Sequence, residues 1–199
     1  MGHGASRYVR RDNGDRTLQE LSAEDRALVA LVPDPLAQEV DKWRARYDPN
    51  YEIVPPHITV AYPPFVPDED WEAVRPAVAR FLDLLPPFTI HLRELGVFAG
   101  DYHYLWLKPE DDGALSRIRS LLEQSIPQYV PDLPYPYQAH VTIGVFESRE
   151  ALLTAQQCVM AKWKPCEFEL NHLVYMSPDS RGLRCVCSRL HLGGTAVDA

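Results

Sequence analysis

Two histidines in this sequence stand in nearly identical surroundings, and their residue types suit acid–base chemistry. His57 begins the stretch HITV and His140 begins HVTI, so each is followed by an apolar residue, a threonine and a second apolar residue. In a β-strand, residues two positions apart share a face. Each imidazole would therefore share one face of a strand with the hydroxyl of Thr59 or Thr142, while the apolar residues face a core.

Those four side chains match the needs of phosphodiester cleavage. The reaction needs a base that takes a proton from the attacking water or hydroxyl, and an acid that protonates the departing oxygen. Imidazole, with an ordinary pKa of about 6.5, can serve in either state near neutral pH. The threonine hydroxyls can donate hydrogen bonds to non-bridging phosphate oxygens. We therefore predict one catalytic site of His57, His140, Thr59 and Thr142 that needs no metal ion or other cofactor. Which histidine is the base stays open.

The other histidines supply a comparison. His91, His103, His172 and His191 have no threonine or serine two positions further on, and we interpret them as structural. One such match would be weak evidence, but two among seven histidines rarely arise by chance. The same cleft could also hold a nucleotide or an RNA end without turnover, so a binding module is the alternative to an enzyme.

Hydrophobic periodicity predicts the elements that position the two motifs. Predicted helices span 34–47, 68–85, 112–126 and 148–163. Asp34 and Ser148 are the predicted N-caps of the first and last helix. Predicted strands span 26–33, 57–62, 88–98, 102–109, 139–146, 166–176 and 183–192. The second half repeats the order of the first, which predicts an α+β fold of two duplicated α/β modules whose antiparallel sheets face each other across a central cleft.

Length and composition indicate one folded domain. The chain has 199 residues, 46% of them hydrophobic, which is enough for a packed core. Residues 1–23 are polar, arginine-rich and aperiodic, and we predict a flexible arm there. A two-lobed domain over 24–193 and a short tail over 194–199 would follow. A myristoylation pattern at Gly2 is the alternative interpretation of the arm.

Charge and the apolar pattern narrow the possible partners. A formal charge of −8 argues against binding along a long nucleic acid, so a small nucleotide or an RNA terminus is the expected partner. The basic stretch 42–46 is interpreted as a solvated helix face. No apolar run approaches the roughly 20 residues of a membrane span. The four cysteines form no CxxC pair, and we interpret them as small apolar fillers of a monomeric protein in a reducing cytoplasm.

The paired motifs, one in each half, resemble the His-x-Thr/Ser-x motifs of the two-histidine (2H) phosphoesterase superfamily, in particular those of 2′-5′ RNA ligase-like proteins and cyclic phosphodiesterases. The resemblance covers about residues 24–192 and includes the order of elements. It implies a bilobal fold with a catalytic cleft between the sheets. It also implies metal-independent hydrolysis or transesterification of 2′,3′-cyclic phosphates or 2′-5′ linkages. Carried over by position, His57 and His140 would be the acid–base pair, and Thr59 and Thr142 the phosphate donors.

One departure from that pattern concerns phosphate binding. Some RNA cyclic phosphodiesterases of the superfamily have an arginine just after the second motif, whereas this chain has Gly144 and Val145 there. The departure favours the 2′-5′ RNA ligase-like branch and makes Arg149, the nearest arginine, a candidate for substrate binding. Aromatic rings near the motif strands could stack on a base or pack around prolines. The candidates are Tyr62, Phe65 and Tyr137, and also Phe98 and Tyr135.

Overall fold

The computed structural model describes residues 26–130 and 135–194. Before these it describes only the backbone of a short ribbon, in which β1 (Val9–Arg10) pairs antiparallel with β2 (Arg16–Thr17). The rest of the arm predicted for residues 1–23 lies outside the described residues. The tail predicted for 194–199 also lies outside them from residue 195 onward.

The described residues form four α-helices, one at each predicted position: α1 (Leu36–Tyr47), α2 (Asp68–Leu82), α3 (Ala114–Ser125) and α4 (Arg149–Met160). A turn of 3₁₀ helix, Pro127–Tyr129, follows α3. Apolar residues at helical spacing give each helix one buried face; Val40, Val78, Leu122 and Val159 are fully buried examples. Across residues 26–130 and 135–194, no helix combines the length and apolar character that a membrane span requires.

The two predicted N-caps have different outcomes. Ser148 caps α4, because its Oγ accepts a hydrogen bond from the backbone N–H of Ala151 at 3.2 Å. The prediction that Asp34 caps α1 is wrong. The backbone N–H of Ala37 donates to the carbonyl of Pro33 at 2.9 Å. A backbone oxygen therefore satisfies a first-turn donor that was expected to bind the Asp34 side chain.

Eight strands form one curled antiparallel sheet, which confirms the predicted α+β class. In chain order they are β3 (Ala27–Leu31), β4 (His57–Ala61), β5 (Phe88–Phe98), β6 (His103–Glu110), β7 (Val141–Phe146), β8 (Cys166–Leu170), β9 (His172–Pro178) and β10 (Arg184–His191). Across the sheet the order is β10-β9-β3-β4-β7-β6-β5-β8. The two motif strands, β4 and β7, therefore meet at the centre of the sheet.

The two halves of this sheet had been expected as separate sheets, one for each half of the chain. They are instead joined at the centre, where Ile58 of β4 pairs with Val141 of β7. Each half also takes strands from the other half of the chain. The hairpin of β5 and β6 follows the first motif but pairs with β7, whereas the hairpin of β9 and β10 completes the half that contains β4.

The segment 166–176, predicted as one strand, is two strands in the structure. β8 pairs with β5 at one edge of the sheet, whereas β9 lies between β3 and β10 in the other half. The break falls at Asn171. The prediction is wrong because strand-like hydrophobicity continues through this residue, and periodicity carries no information about which neighbour a strand pairs with.

The motif strands bury the face that was predicted to be apolar. Four of their residues are fully buried in the main core: Ile58, Val60, Val141 and Ile143. The residues that alternate with them are only partly buried: His57, Thr59, His140 and Thr142. Thr59 pairs across the sheet with Val29, which belongs to a separate small apolar cluster with Val174 and Met176. The four motif residues therefore lie on the face of the sheet opposite the main core.

The cysteines depart from the prediction of small apolar fillers. Cys158, Cys185 and Cys187 are exposed, Cys166 is partly buried, and all four are free thiols. Cys185 and Cys187 lie on the edge strand β10, where Val186 between them packs inward against the small cluster of Val29. The prediction is wrong for these two because the alternation of the strand directs both of them to the exposed face.

Candidate active site

Each motif histidine is held by the backbone two residues before it. His57 is the first residue of β4, and its Nδ1 lies 2.8 Å from the carbonyl oxygen of Pro55. His140 directly precedes β7, rather than lying inside the strand, and its Nδ1 lies 2.9 Å from the carbonyl oxygen of Gln138. A carbonyl oxygen can only accept, so Nδ1 is the donor in both rings. In the neutral form the Nε2 atom of each imidazole is then the basic position.

The central strand pairing brings the two motifs together. Ile58 lies opposite Val141 in the antiparallel pair of β4 and β7. Continuing this register by one residue on either side places His57 opposite Thr142 and Thr59 opposite His140. Opposed side chains in such a pair have Cβ atoms about 5 Å apart, and diagonal positions lie about 7–8 Å apart. On this register the two imidazoles would occupy a diagonal, with one hydroxyl opposite each.

The surroundings of His57 favour its neutral form. Burial lowers the pKa of His57 to about 4, and the positive charges of Arg44 and Arg184 act in the same direction. The hydrogen bond to the carbonyl of Pro55 opposes this shift because it favours the protonated ring. At neutral pH the imidazole is therefore uncharged and able to accept a proton.

Arg44 belongs to the basic stretch that had been interpreted as a solvated face, and for this residue the interpretation is wrong. Its side chain is 2% exposed. The guanidinium donates to Asp41 at 2.8 Å, to Asp48 at 2.9 Å and to the carbonyl oxygen of Val54 at 2.8 Å. These partners fix the loop that leads from α1 to His57, because Val54 lies three residues before it.

Two aromatic rings flank His140 on the same face. Phe98 meets the imidazole edge-on at 5.1 Å between ring centroids, and Trp106 does so at 6.0 Å. The two rings also stack on each other at 4.7 Å. A Cβ at Gly96 would lie 2.3 Å from the indole of Trp106, so only glycine leaves room for this ring. Sequence reasoning did not single out Trp106, although a glycine within a strand was a signal of close approach.

A cavity of about 480 Å³ opens beside His140. Its walls come from the turn between β5 and β6, from the segment before β7 and from the residue after β4. Five aromatic residues line it: Tyr62, Phe98, Tyr102, Tyr104 and Tyr135. The structure therefore brings the predicted candidates Tyr62, Phe98 and Tyr135 together with His140. Its size falls within the range of about 300–1,000 Å³ that small-molecule sites occupy.

The remaining aromatic candidates lie elsewhere. Phe65 is 3% exposed, and its ring centroid lies 6.4 Å from the ring centroids of both Trp71 and Tyr175. The prediction that it stacks on a base is wrong because its faces are covered by the core. Tyr137 is half-buried, and its hydroxyl donates to the carbonyl oxygen of Thr59 at 3.0 Å. This bond ties the segment before the second motif to the strand of the first.

The cationic candidate also lies away from the motifs. Arg149 is exposed and begins α4, beyond the far end of β7 from His140. At about 3.3 Å per residue, the last residue of β7, Phe146, lies roughly 20 Å along the strand from His140, and Arg149 follows three residues later. Substrate binding by Arg149 stays a prediction.

Packing explains why Gly144 has no side chain at one of the two positions after the second motif where an arginine could have stood. A Cβ at Gly144 would lie 2.4 Å from the Cβ of Tyr47 and 2.9 Å from its carbonyl oxygen. The end of α1 thus rests directly on the backbone of β7, and no side chain fits at this position.

Within residues 26–130 and 135–194, no group of three or more histidine, cysteine or acidic side chains is arranged to hold a metal ion.

The fold and the paired histidines define the class of two-histidine phosphoesterases. The model of one protein family, described as the 2′-5′ RNA ligase superfamily, matches residues 32–182. This range contains both motifs and most of the sheet. The chain therefore belongs to the 2′-5′ RNA ligase superfamily.

Similar sequences occur in bacilli. A protein of Bacillus cereus (strain B4264) described as "Putative phosphoesterase" is 29% identical over 117 residues, which cover 58% of this chain and 67% of that protein. A protein of Bacillus mycoides (strain KBAB4) with the same description is also 29% identical over 117 residues, with the same coverage.

Solved structures share the fold at lower identity. The protein TT0787 of Thermus thermophilus matches with a TM-score of 0.62 and 16% identity, covering 86% of this chain and 100% of that chain. Escherichia coli LigT complexed with 3′-AMP matches with a TM-score of 0.61 and 18% identity, covering 85% of this chain and 98% of that chain. At these identities the likeness concerns the fold.

Proposed function

We propose that this protein is a metal-independent phosphodiesterase that hydrolyses or transesterifies 2′,3′-cyclic phosphates or 2′-5′ linkages in a small nucleotide or at an RNA terminus. The observation that carries the proposal is the pairing of Ile58 with Val141, which brings the two motifs side by side, together with the bond of Nδ1 in both histidines to a backbone carbonyl. Such a pair supplies one base and one acid to the same phosphorus. As the sequence predicts, the protein would act as a monomer in the cytoplasm.

The lowered pKa of His57 supports its assignment as the base in hydrolysis. Nε2 of His57 takes a proton from water, and the water oxygen forms a bond to phosphorus. The bond from phosphorus to the leaving ribose oxygen breaks, and that oxygen takes the bonding electron pair. His140, protonated at the start, gives its proton to this oxygen. In the reverse direction the two roles exchange.

The two threonines support this chemistry by their register. Continued by one residue from the pair of Ile58 with Val141, the register puts Thr142 opposite His57 and Thr59 opposite His140, so both hydroxyls would border the space between the imidazoles. Each can donate a hydrogen bond to a non-bridging oxygen whose negative charge grows in the transition state. Removal of one such donor commonly lowers turnover by about 10²–10³-fold.

The test is turnover of 2′,3′-cyclic nucleotides by His57→Gln and His140→Gln, with and without EDTA. We expect each variant to lose about 10²–10⁴-fold in kcat, and EDTA to leave the wild type unchanged. His91→Gln is the matched control, because His91 pairs with Glu167 at 2.9 Å on a different part of the sheet. Wild-type turnover by both motif variants, with unchanged circular dichroism spectra, would refute the assignment of the site.

The second candidate function is a module that binds a nucleotide or an RNA end without turnover. The aromatic cavity beside His140 favours it, because stacking alone could hold a base there. Calorimetric titration with nucleotides separates the two functions. Binding by the wild type without turnover of cyclic nucleotides, 2′-5′ dinucleotides or RNA with a cyclic phosphate end would establish the module in place of the enzyme.

A further inference from the structure

The cavity beside His140 has an unusual charge for a nucleotide site. Among the described residues that line it, and apart from His140 itself, Asp101 alone carries a formal charge, and neither lysine nor arginine contributes. Sites that hold several phosphates are normally rich in cationic donors. A lining of this kind suits an uncharged part of a substrate and leaves the His140 end of the cavity for a phosphate.

The position of Asp101 gives the cavity a chemical preference. Asp101 is exposed in the turn between β5 and β6. Phe98 pairs with Tyr104 at the base of this turn, and both residues line the cavity together with Asp101. An ionised carboxylate offers two acceptor oxygens and no donor. Guanine presents two adjacent donors, N1–H and the 2-amino group, to one carboxylate. Adenine and cytosine present only an amino group on that edge, and uracil presents one N–H.

We propose that this cavity is the base subsite of a substrate with a single phosphate, and that Asp101 makes it prefer guanine. The proposal rests on the proposed function, because the phosphate is placed at His140. The rings of Phe98, Tyr104 and Tyr135 supply stacking surfaces that accept any base. The carboxylate then discriminates between bases. A pyrophosphate or further phosphodiesters near the cavity would meet the negative charge of Asp101.

The experiment compares kcat/KM for the 2′,3′-cyclic phosphates of guanosine, adenosine, cytidine and uridine in the wild type and in Asp101→Asn. We expect the wild type to prefer the guanosine substrate by on the order of tenfold, as one bidentate pair can provide. Asp101→Asn should abolish this preference, because kcat/KM falls by on the order of tenfold for the guanosine substrate and by less for the uridine substrate, whose base presents only one N–H to the carboxylate. Asp83→Asn is the control, because it removes the same charge at the exposed C-terminus of α2.

Charge repulsion is tested with ADP-ribose 1″,2″-cyclic phosphate, which carries a pyrophosphate. We expect the wild type to process it more slowly than adenosine 2′,3′-cyclic phosphate. In Asp101→Asn the difference between the two rates should be smaller. Equal use of the four bases by the wild type, or a guanine preference that survives in Asp101→Asn, would overturn the inference and leave the proposed function standing. Failure of every cyclic substrate would refute the proposed function itself and the inference with it.

Discussion

His57 and His140 each donate a hydrogen bond from Nδ1 to the carbonyl oxygen of the residue two positions earlier. The shared geometry fixes the same tautomer in both rings, so proton transfer runs through Nε2 in each. Their surroundings are nevertheless different. His57 lies near two positive charges, those of the buried Arg44 and the partly buried Arg184, whereas His140 lies against the rings of Phe98 and Trp106. Under the proposed mechanism, this asymmetry would let two similar motifs take opposite roles.

The pH dependence of turnover should report the lowered pKa of His57. A base with a pKa of about 4 is protonated, and therefore inactive, only when the pH falls through that value. We expect the acidic limb of the profile of kcat/KM for a 2′,3′-cyclic nucleotide to lie near pH 4, well below the ordinary histidine value of about 6.5. Circular dichroism at each pH separates protonation from unfolding.

A variant of Arg184 supplies the internal check on that profile. Arg184→Gln removes one of the positive charges that lower the pKa of His57, so the acidic limb should move to higher pH. An acidic limb near pH 6.5 in the wild type, or no movement in Arg184→Gln, would contradict the assignment of His57 as the base.

At the scale of single residues, the sequence was sufficient to predict that the four motif residues share one face of the sheet, and insufficient to place their aromatic neighbours. The shared face of His57 and Thr59 follows from a strand period of two, which does not depend on tertiary contacts. The position of Phe65, in contrast, depends on tertiary contacts. After β4 the chain passes through the exposed Pro63 and Pro64 and returns to the core at Phe65, which packs against Trp71 and Tyr175. Local pattern could not distinguish this burial from a place at the cavity.

Gly144 shows how one element constrains another, and it carries a prediction of stability. A methyl group at this position would lie 2.4 Å from the Cβ of Tyr47, so α1 would have to move off β7. We expect Gly144→Ala to lower the free energy of unfolding by about 1–3 kcal/mol, the usual cost of overpacking. Denaturation in urea, followed by circular dichroism, measures this change.

The comparison for that experiment is Gly100→Ala. A Cβ at Gly100 has its nearest neighbour, the carbonyl oxygen of Tyr102, at 3.6 Å, which is ordinary contact. Its effect should therefore stay within about 0.5 kcal/mol, as surface substitutions usually do. Equal loss of stability in both variants would show that the contact between α1 and β7 is not what requires glycine.

Helices and strands could be predicted where the sequence pattern was local. The neighbours with which the strands pair could not. The four helices follow from apolar residues at helical spacing, and the cap of α4 follows from Ser148. The division of 166–176 at Asn171 does not follow, because β8 and β9 pair in different halves of the sheet. Strand pairing depends on tertiary contacts that one segment does not encode.

In the whole molecule, the two halves of the sheet meet through a small connection. The register of β4 with β7 rests on the pair of Ile58 with Val141. The segment before the second motif reinforces it, because the hydroxyl of Tyr137 donates to the carbonyl oxygen of Thr59 at 3.0 Å. The guanidinium of Arg119 donates to the carbonyl oxygen of Val60 at 3.4 Å and ties α3 to β4. Sequence reasoning expected facing sheets, and it could not foresee that they would be joined.

The bond from Tyr137 to Thr59 carries the prediction that belongs to this scale. Burial raises the pKa of Tyr137 far above its usual range, so the hydroxyl stays protonated and donates. Tyr137→Phe keeps the ring against Tyr62 but removes the donor. We expect kcat to fall about tenfold or more, because small errors in the geometry between the two histidines are costly. KM should change by less than about twofold, because the assigned role of this hydroxyl is to position β4 rather than to bind substrate.

Tyr129→Phe separates positioning from general stability. Its hydroxyl donates to Asp70 at 3.0 Å, so the variant loses a comparable hydrogen bond that joins the 3₁₀ turn to α2 rather than the two motifs. Both variants should lose similar stability, on the order of 1 kcal/mol, but only Tyr137→Phe should lose kcat. If Tyr129→Phe lowers kcat as much, or if Tyr137→Phe raises KM instead, the hydroxyl of Tyr137 does not set the relation between the two halves. The acidic limb assigned to His57 should stay in place in Tyr137→Phe, because the substitution removes no charge.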